Sequence, residues 1–199
     1  MSPTNETPAG KAGARSDLVG DRSQSQSSLI DRPAQFVVPE LPPGLTVLAA
    51  YRQFVTWKLV PSARPGKMDK LPCDWRSGKV TSAHNPATWG TFEECRDAVL
   101  AGHGQGVGFV LTARDPFFCL DIDNALQPDN QWSPLAVELC QRFAGAYVEV
   151  SQSGCGLHII GSASEIPPHA CKNVALGLEL YHEKRFVALT FLHWQGDAS

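Results

Sequence analysis

The run Phe117-Phe118-Cys119-Leu120-Asp121-Ile122-Asp123 sets the terms for any fold this chain adopts. Four apolar residues lead straight into two carboxylates that flank a single isoleucine. Side chains alternate faces along a strand, so as a strand this stretch puts Asp121 and Asp123 on one face, about 7 Å apart along the chain. Two carboxylates so placed repel each other unless a cation sits between them. Hard divalent cations such as Mg²⁺ are held by one or two carboxylates together with substrate phosphates. The other reading is a strand that ends in a polar turn at Asp123-Asn124. On this stretch alone the two readings stand level, and the rest of the chain has to separate them.

The chain has 199 residues, 43% of them apolar, which is enough for one domain with a sizeable core. The net charge of −3 is less informative than its distribution. Residues 51–80 hold Arg52, Lys58, Arg64, Lys67, Lys70, Arg76 and Lys79 against only Asp69 and Asp74. Clustered positive charge in a chain that is acidic elsewhere suits phosphate or nucleic-acid binding, although a solvated basic surface is its commoner meaning. The six cysteines form no CxxC pair, Met1–Arg15 has no apolar leader segment, and no apolar run is long enough to cross a bilayer. The expectation is a cytoplasmic, reduced protein with no membrane partner. Residues 1–44 are rich in Ser, Gln, Pro and Gly and read as a disordered tail, with a folded domain over 45–199.

Within that domain, Thr46–Tyr51 reads as a short helix and Phe54–Val60 as a strand. Pro61–Asn85 is long for a structureless loop and holds most of the basic cluster, which predicts a hairpin or a functional loop. Thr91 and Glu94 form a capping box for a helix that stops at Gly102. Ser133-Pro134 marks the start of a second helix, running to about Phe143. Val107–Leu111 and Phe117–Asp123 are expected to pair as an antiparallel hairpin across Arg114-Asp115-Pro116. Further strands are expected at Tyr147–Val150, Leu157–Ile160, Leu176–Tyr181 and Phe186–Phe191. Strands joined as hairpins with helices between them give an α+β fold.

Two later stretches add chemistry to the acid pair. In Ser151-Gln152-Ser153-Gly154-Cys155-Gly156-Leu157-His158 a strand ends in a Ser/Gly turn and the next strand opens on a histidine. Glycines allow positive φ and close backbone approach, and the N–H groups of such a turn suit phosphate oxygens. A lone strand histidine is ordinarily a satisfied core residue; the adjoining turn disfavours that here. In Leu178-Glu179-Leu180-Tyr181 a carboxylate stands between two leucines, which is costly unless it is paired or binds metal. Arg185 opens the next strand, expected across a hairpin from Glu179; a plain Glu–Arg surface pair is the bland version. The His103–Gly108 glycine run follows a helix and opens a strand, the reverse of a dinucleotide fingerprint. No GxxxxGK[ST], HExxH or GxSxG occurs. A zinc site from Cys155, His158, His169 and Cys171 has ligands of acceptable type but no standard spacing.

The ordered set Asp-x-Asp, then Ser-Gly-x-Gly-x-His, then Glu and Arg-Phe-x-x-x-Thr resembles the archaeo-eukaryotic primase superfamily. It is most similar to the primase-polymerase domains of phage and plasmid replication proteins. Trp57-Lys58, Lys70-Leu71-Pro72, Asn85-Pro86-Ala87-Thr88-Trp89 and Gly106-Val107-Gly108-Phe109 fit the same pattern, so the resemblance covers roughly Leu45 to Thr190. It implies a two-part catalytic domain with an RRM-like sheet that carries the Asp-x-Asp hairpin and the His strand, the active-site cleft lying between the halves. It implies that Asp121, Asp123 and Glu179 are catalytic and hold Mg²⁺ or Mn²⁺ in a two-metal site. It implies that His158, Ser153, Gly154, Gly156, Arg185 and Lys70 serve nucleotide binding. The implied activity is that of a nucleotidyltransferase, a DNA primase-polymerase, adding (d)NTPs on a single-stranded DNA template and primer. The family's last motif often has glycine after the threonine, where this chain has Phe191. The helical accessory domain of such proteins is not found before Ser199, so a helicase or accessory domain would be supplied elsewhere. The alternative is a catalytically inactive or truncated nucleic-acid-binding remnant of a replication protein. A tyrosine-dependent nicking enzyme is disfavoured, because no His-hydrophobic-His pair occurs.

Overall fold

A computed structural model describes residues 38–194, all within one compact unit, Gln35–Ser199. Most of the stretch read as a tail lies outside the described residues. Val38, though, is buried in the core and Leu41 packs against it, so the packed region reaches back before Leu45. The short helix expected at Thr46–Tyr51 is a 3₁₀ segment, Pro43–Ala50, with Pro43 at its start and Leu45 and Leu48 buried.

Two antiparallel sheets face each other. The first holds β1 (Phe54–Pro61), β2 (Met68–Cys73), β3 (Gly106–Leu111) and β9 (Arg185–Ala188), in the order β2-β1-β3-β9. The second holds β4 (Phe117–Ile122), β5 (Tyr147–Val150), β6 (Leu157–Ser162), β7 (Lys172–Asn173) and β8 (Leu178–Tyr181), in the order β5-β6-β4-β8-β7. Helix α1 (Phe92–Leu100) packs on the first sheet and α2 (Pro134–Arg142) on the second. Both helix starts follow from local chemistry. Thr91 accepts from the Glu94 backbone N–H while the Glu94 side chain accepts from the Thr91 N–H, and Ser133 accepts from the Ala136 N–H ahead of a proline. The long basic loop resolves into the β1–β2 hairpin. Among the described residues no helix is long and apolar enough to cross a membrane.

Two expected hairpins are not formed. β3 pairs with β1 and β9, whereas β4 pairs with β6 and β8, so Val107–Leu111 and Phe117–Asp123 lie in different sheets. The Asp-x-Asp strand therefore does not sit in a hairpin with β3. The turn between them is a crossover stapled by Asp115, which accepts from Gln53 Nε2 (2.8 Å), Thr112 N (2.9 Å), Thr112 Oγ1 (2.8 Å) and Phe117 N (3.1 Å). Likewise β8 and β9 are not paired, because β9 joins β3 in the first sheet. Arg185 reaches Glu179 from the opposite sheet, not across a hairpin.

Alternation along β4 divides the core. Leu120 and Ile122 face α2 with Val148, Leu157 and Ile159. Phe117 and Cys119 face the first sheet, where Phe54, Phe109, Phe92, Val107, Leu111 and Val187 fill the space between the sheets. The residues that continue this inner face of β4 are Asp121 and Asp123. The inter-sheet core thus gives way, along a single strand, to a polar cleft.

Candidate active site

Strand register lines up five ionisable side chains in one row across the second sheet. Glu149 on β5 lies opposite His158 on β6, His158 opposite Asp121 on β4, Asp121 opposite Glu179 on β8, and Glu179 opposite Lys172 on β7. Directly opposed residues in antiparallel strands hold their β-carbons about 4.5–5.5 Å apart, so each group in the row feels its neighbours. Cross-strand pairing, not sequence proximity, assembles this site.

Asp121, Asp123, His158, Glu179, Lys172 and Tyr181 line a cleft of about 610 Å³, closed from the first sheet by Lys70 and Arg185 among others. Six of the nine residues expected from the sequence therefore meet: Asp121, Asp123, Glu179, His158, Arg185 and Lys70. Ser153, Gly154 and Gly156 do not line it. Their turn lies at the end of β6, where a β-carbon on Gly156 would stand 2.7 Å from the Ile122 carbonyl oxygen. The glycine lets the β6 entry press against β4 between the two aspartates. The zinc set drawn from Cys155, His158, His169 and Cys171 is not assembled either, and His169 is engaged with the Pro167 and Leu180 carbonyls.

The acids are held differently. Burial pushes the Asp121 carboxyl above the usual carboxylate range; the charges of Asp123 and Glu179 push the same way, against His158 and Lys70. The His158 Nε2 atom is 3.8 Å from Asp121 Oδ1. Glu179 goes the other way. Burial raises it, but bonds from Lys172 and Tyr181, with the charges of Lys172 and Arg185, outweigh burial and hold it below the usual range. Tyr181 OH donates to Glu179 Oε2 at 2.6 Å, Lys172 Nζ bonds Oε1, and Arg185 lies 3.8 Å from Oε2 while stacking 4.5 Å over the Tyr181 ring. Glu179 is thus satisfied by side chains, and among the described residues no three of His, Cys, Asp and Glu are gathered tightly enough to hold a metal ion. Asp121 and Asp123, at the cleft, are the carboxylates that lack such partners and repel each other. That donor set, one or two carboxylates open to a polar cleft, fits a hard cation shared with a phosphate ligand.

Sequence reasoning missed Glu149. It is fully buried, and it accepts from His158 Nδ1 (2.9 Å), from the Thr190 N–H (3.1 and 3.2 Å to its two oxygens) and from the Phe191 N–H (2.9 Å). The signal that singled out Glu179, an acid between apolar residues on a strand, is present in Val148-Glu149-Val150 as well. Thr190 and Phe191 follow β9, so the chain leaving the first sheet crosses to the second. There it bonds along β5: Thr190 Oγ1 donates to the Val150 carbonyl (2.6 Å), Val150 N to the Leu192 carbonyl (2.8 Å), and Trp194 N to the Val148 carbonyl (3.0 Å). Phe191 has φ +59°, a left-handed conformation that costs a bulky residue about 1–2 kcal/mol. It stands where the resembling family often has glycine, and the glycine-like backbone is kept although the side chain is not.

No protein-family model matches the chain. Over 151 residues, 74% of its length, the chain is 29% identical to the DNA primase-polymerase of Nitratiruptor phage NrS-1. The matched stretch is 20% of that protein, so the chain spans about a fifth of its relative's length. The likeness to primase-polymerase domains that the motifs carry is borne out by this sequence relation to a phage DNA primase-polymerase.

Proposed function

We propose that this chain is a metal-dependent nucleotidyltransferase, a primase-polymerase that adds nucleotides to a primer on a single-stranded DNA template. One observation carries the reading. The row of opposed side chains sets Asp121 between His158 and Glu179, with Asp123 beside it, in a cleft that Lys70 and Arg185 enter from the other sheet. Asp121 and Asp123 would hold Mg²⁺ or Mn²⁺ with the phosphates of the incoming nucleotide, and Glu179 would join them on release from Lys172. When bound, such cations activate a primer 3′-hydroxyl and stabilise departing pyrophosphate. The chain's own residues do the rest. His158 presents Nε2 to the phosphates, and Lys70 and Arg185 neutralise charge on the transferred group. Arg64 and Lys67 on the β1–β2 hairpin give a basic approach for the template. The Ser153–Gly156 turn enters as the support of His158. The β5-β6-β4-β8 order, with α2 joining β4 to β5, supports the RRM-like sheet of a two-part catalytic domain. A helicase or helical accessory domain, and a role in phage or plasmid replication, belong to the same proposal.

A second reading has one observation on its side. Glu179 is already satisfied by Lys172, Tyr181 and Arg185, as it would be in a nucleic-acid-binding remnant whose acids are structural. Primer extension separates the two. Wild-type protein with Mg²⁺ or Mn²⁺ and dNTPs should extend a primed template, and Asp121→Ala or Asp123→Ala should abolish extension while leaving DNA binding. A wild type that neither extends the primer nor binds nucleotide in the presence of metal would remove the enzymatic reading.

A further inference from the structure

We propose that Glu149 is the positioning residue for His158, a buried carboxylate that keeps a proton on Nδ1 and so turns Nε2 into the cleft toward Asp121. Its kinetic consequence rests on the nucleotidyltransferase reading; its structural content does not.

The geometry allows little else. Glu149 is fully buried and His158 is 3% exposed, so neither can exchange its partner for water. A carboxylate only accepts, so the 2.9 Å contact between Oε1 and Nδ1 requires the hydrogen on Nδ1. The two ring nitrogens are then distinct, and the bond made by one decides what the other presents. Register places the ring between Glu149 and Asp121, with Nε2 on the Asp121 side at 3.8 Å. The carboxylate is itself fixed. Thr190 N and Phe191 N donate to it from the segment that crosses between sheets, and the left-handed turn at Phe191 then directs the chain along β5. A carboxylate behind a histidine, orienting the ring for a ligand in front, is a recurring support for metal and phosphate chemistry. Here it also ties that ring to the opposite sheet, so the two walls of the cleft share one anchor.

The test is the isosteric change Glu149→Gln. The amide has a single oxygen, and two backbone N–H groups compete for it against one ring nitrogen. With the oxygen on Thr190 and Phe191, the amide NH₂ faces Nδ1, which must then accept, and the proton moves to Nε2. Nitrogen-15 NMR of the imidazole reads this directly, the His158 signals being assigned by their loss in His158→Asn. Wild type should carry the proton on Nδ1, and Glu149→Gln should show the neutral tautomer with Nε2–H. Because the change alters which ring nitrogen carries the proton facing the cleft, the KM for the incoming nucleotide should differ from wild type by about 10- to 100-fold, with kcat much less affected. A wild-type His158 in the neutral Nε2–H form would overturn the proposal, as would a folded Glu149→Gln whose imidazole pattern or KM matches wild type. If the variant fails to fold, the wild-type tautomer alone decides. A protein with no polymerase activity would remove the nucleotidyltransferase reading, while the NMR result would still decide the role of Glu149.

Discussion

Replacing Gly156 with alanine should damage stability and the site together. A β-carbon there would stand 2.7 Å from the Ile122 carbonyl oxygen and 2.9 Å from Ser151 Oγ, closer than the 3.0 Å that real β-carbons keep. The serine hydroxyl can rotate away. The carbonyl cannot, because it belongs to the backbone of β4 where Asp121 and Asp123 flank Ile122, so the strand has to shift. Overpacking of this kind costs about 1–3 kcal/mol. In a chain of this size each kcal/mol lowers Tm by roughly 2–4 °C, so thermal melting should show a drop of about 2–12 °C. Both aspartates move with the carbonyl between them. Since a 1 Å misplacement of reacting groups can cost on the order of 10²-fold, a shift of a few tenths of an ångström should lower primer extension by about 10-fold. Gly154→Ala is the control. Gly154 has φ +76° and no atom within 4 Å of the added carbon, so the change costs backbone strain alone, about 1 kcal/mol, and leaves extension near wild type. Equal losses of activity from the two alanines would refute the reasoning, as would a Gly156→Ala variant that melts and extends like wild type. In either case, close packing at Ile122 would not be what aligns the acids.

Two acids of the cleft, Asp121 and Glu179, should have opposite effects on stability. A carboxyl raised above its unfolded value opposes folding once ionised, and the penalty vanishes below the ordinary range near pH 4. Burial raises Asp121 in this way, so Asp121→Asn should melt higher than wild type at neutral pH, with the gain shrinking as the pH is lowered, although extension is lost. Glu179 is held low despite burial, by Lys172, Tyr181 and Arg185. Its contribution is present above the unfolded value and lost as pH falls through the folded one, so Glu179→Gln should melt lower at neutral pH and converge on wild type in acid. Matching melting curves at pH 7 for all three proteins would contradict both assignments. Removing the crossover staple with Asp115→Ala strips acceptors from Gln53, Thr112 and Phe117. It should cost about 2–3 kcal/mol in urea unfolding, and a change under about 0.5 kcal/mol would show that the crossover holds without it.

What was legible in the sequence was whatever is decided locally or by the cost of burying a charge. The caps at Thr91 and Ser133 are read from a few adjacent residues, and both helices start where those residues require. Asp121, Asp123, Glu179 and His158 stood out because ionisable groups in apolar strands demand partners; the fold supplies them to Glu179 and His158 and leaves the two aspartates open to the cleft. Pairing was not legible, for a physical reason. β3 and β4 are short, buried strands joined by a tight connection, which locally is what a hairpin needs. Each is a central strand, however, and non-local partners already occupy both of its edges. Consecutive strands pair or neighbour only about two-thirds of the time. The Arg185–Glu179 contact was anticipated and its route was not, since a short loop can cross between facing sheets as readily as it can fold back.

Glu149 separates these two cases. Its cost of burial is visible in Val148-Glu149-Val150, as it is for Glu179, but of the groups that meet that cost only His158 is a side chain. Thr190 N and Phe191 N are backbone donors, and a backbone N–H leaves no mark in residue type. The one indirect trace is conformational. A position where the resembling family often has glycine is filled here by Phe191, yet it keeps φ +59°, and Phe191 packs its ring edge-on against Phe92 at 6.0 Å. That turn redirects the chain beyond it onto β5, where Val150 N donates to the Leu192 carbonyl and Trp194 N to the Val148 carbonyl, so the strain is offset by this pairing. Two such backbone bonds contribute about 1–3 kcal/mol together, which matches or exceeds the roughly 1–2 kcal/mol of a left-handed bulky residue. The balance favours the turn, and with it the carboxylate that orients His158. A buried strand acid whose one side-chain partner, His158, leaves acceptor capacity unused therefore points to a distant backbone segment, and a departure at a glycine position tells where to look for it.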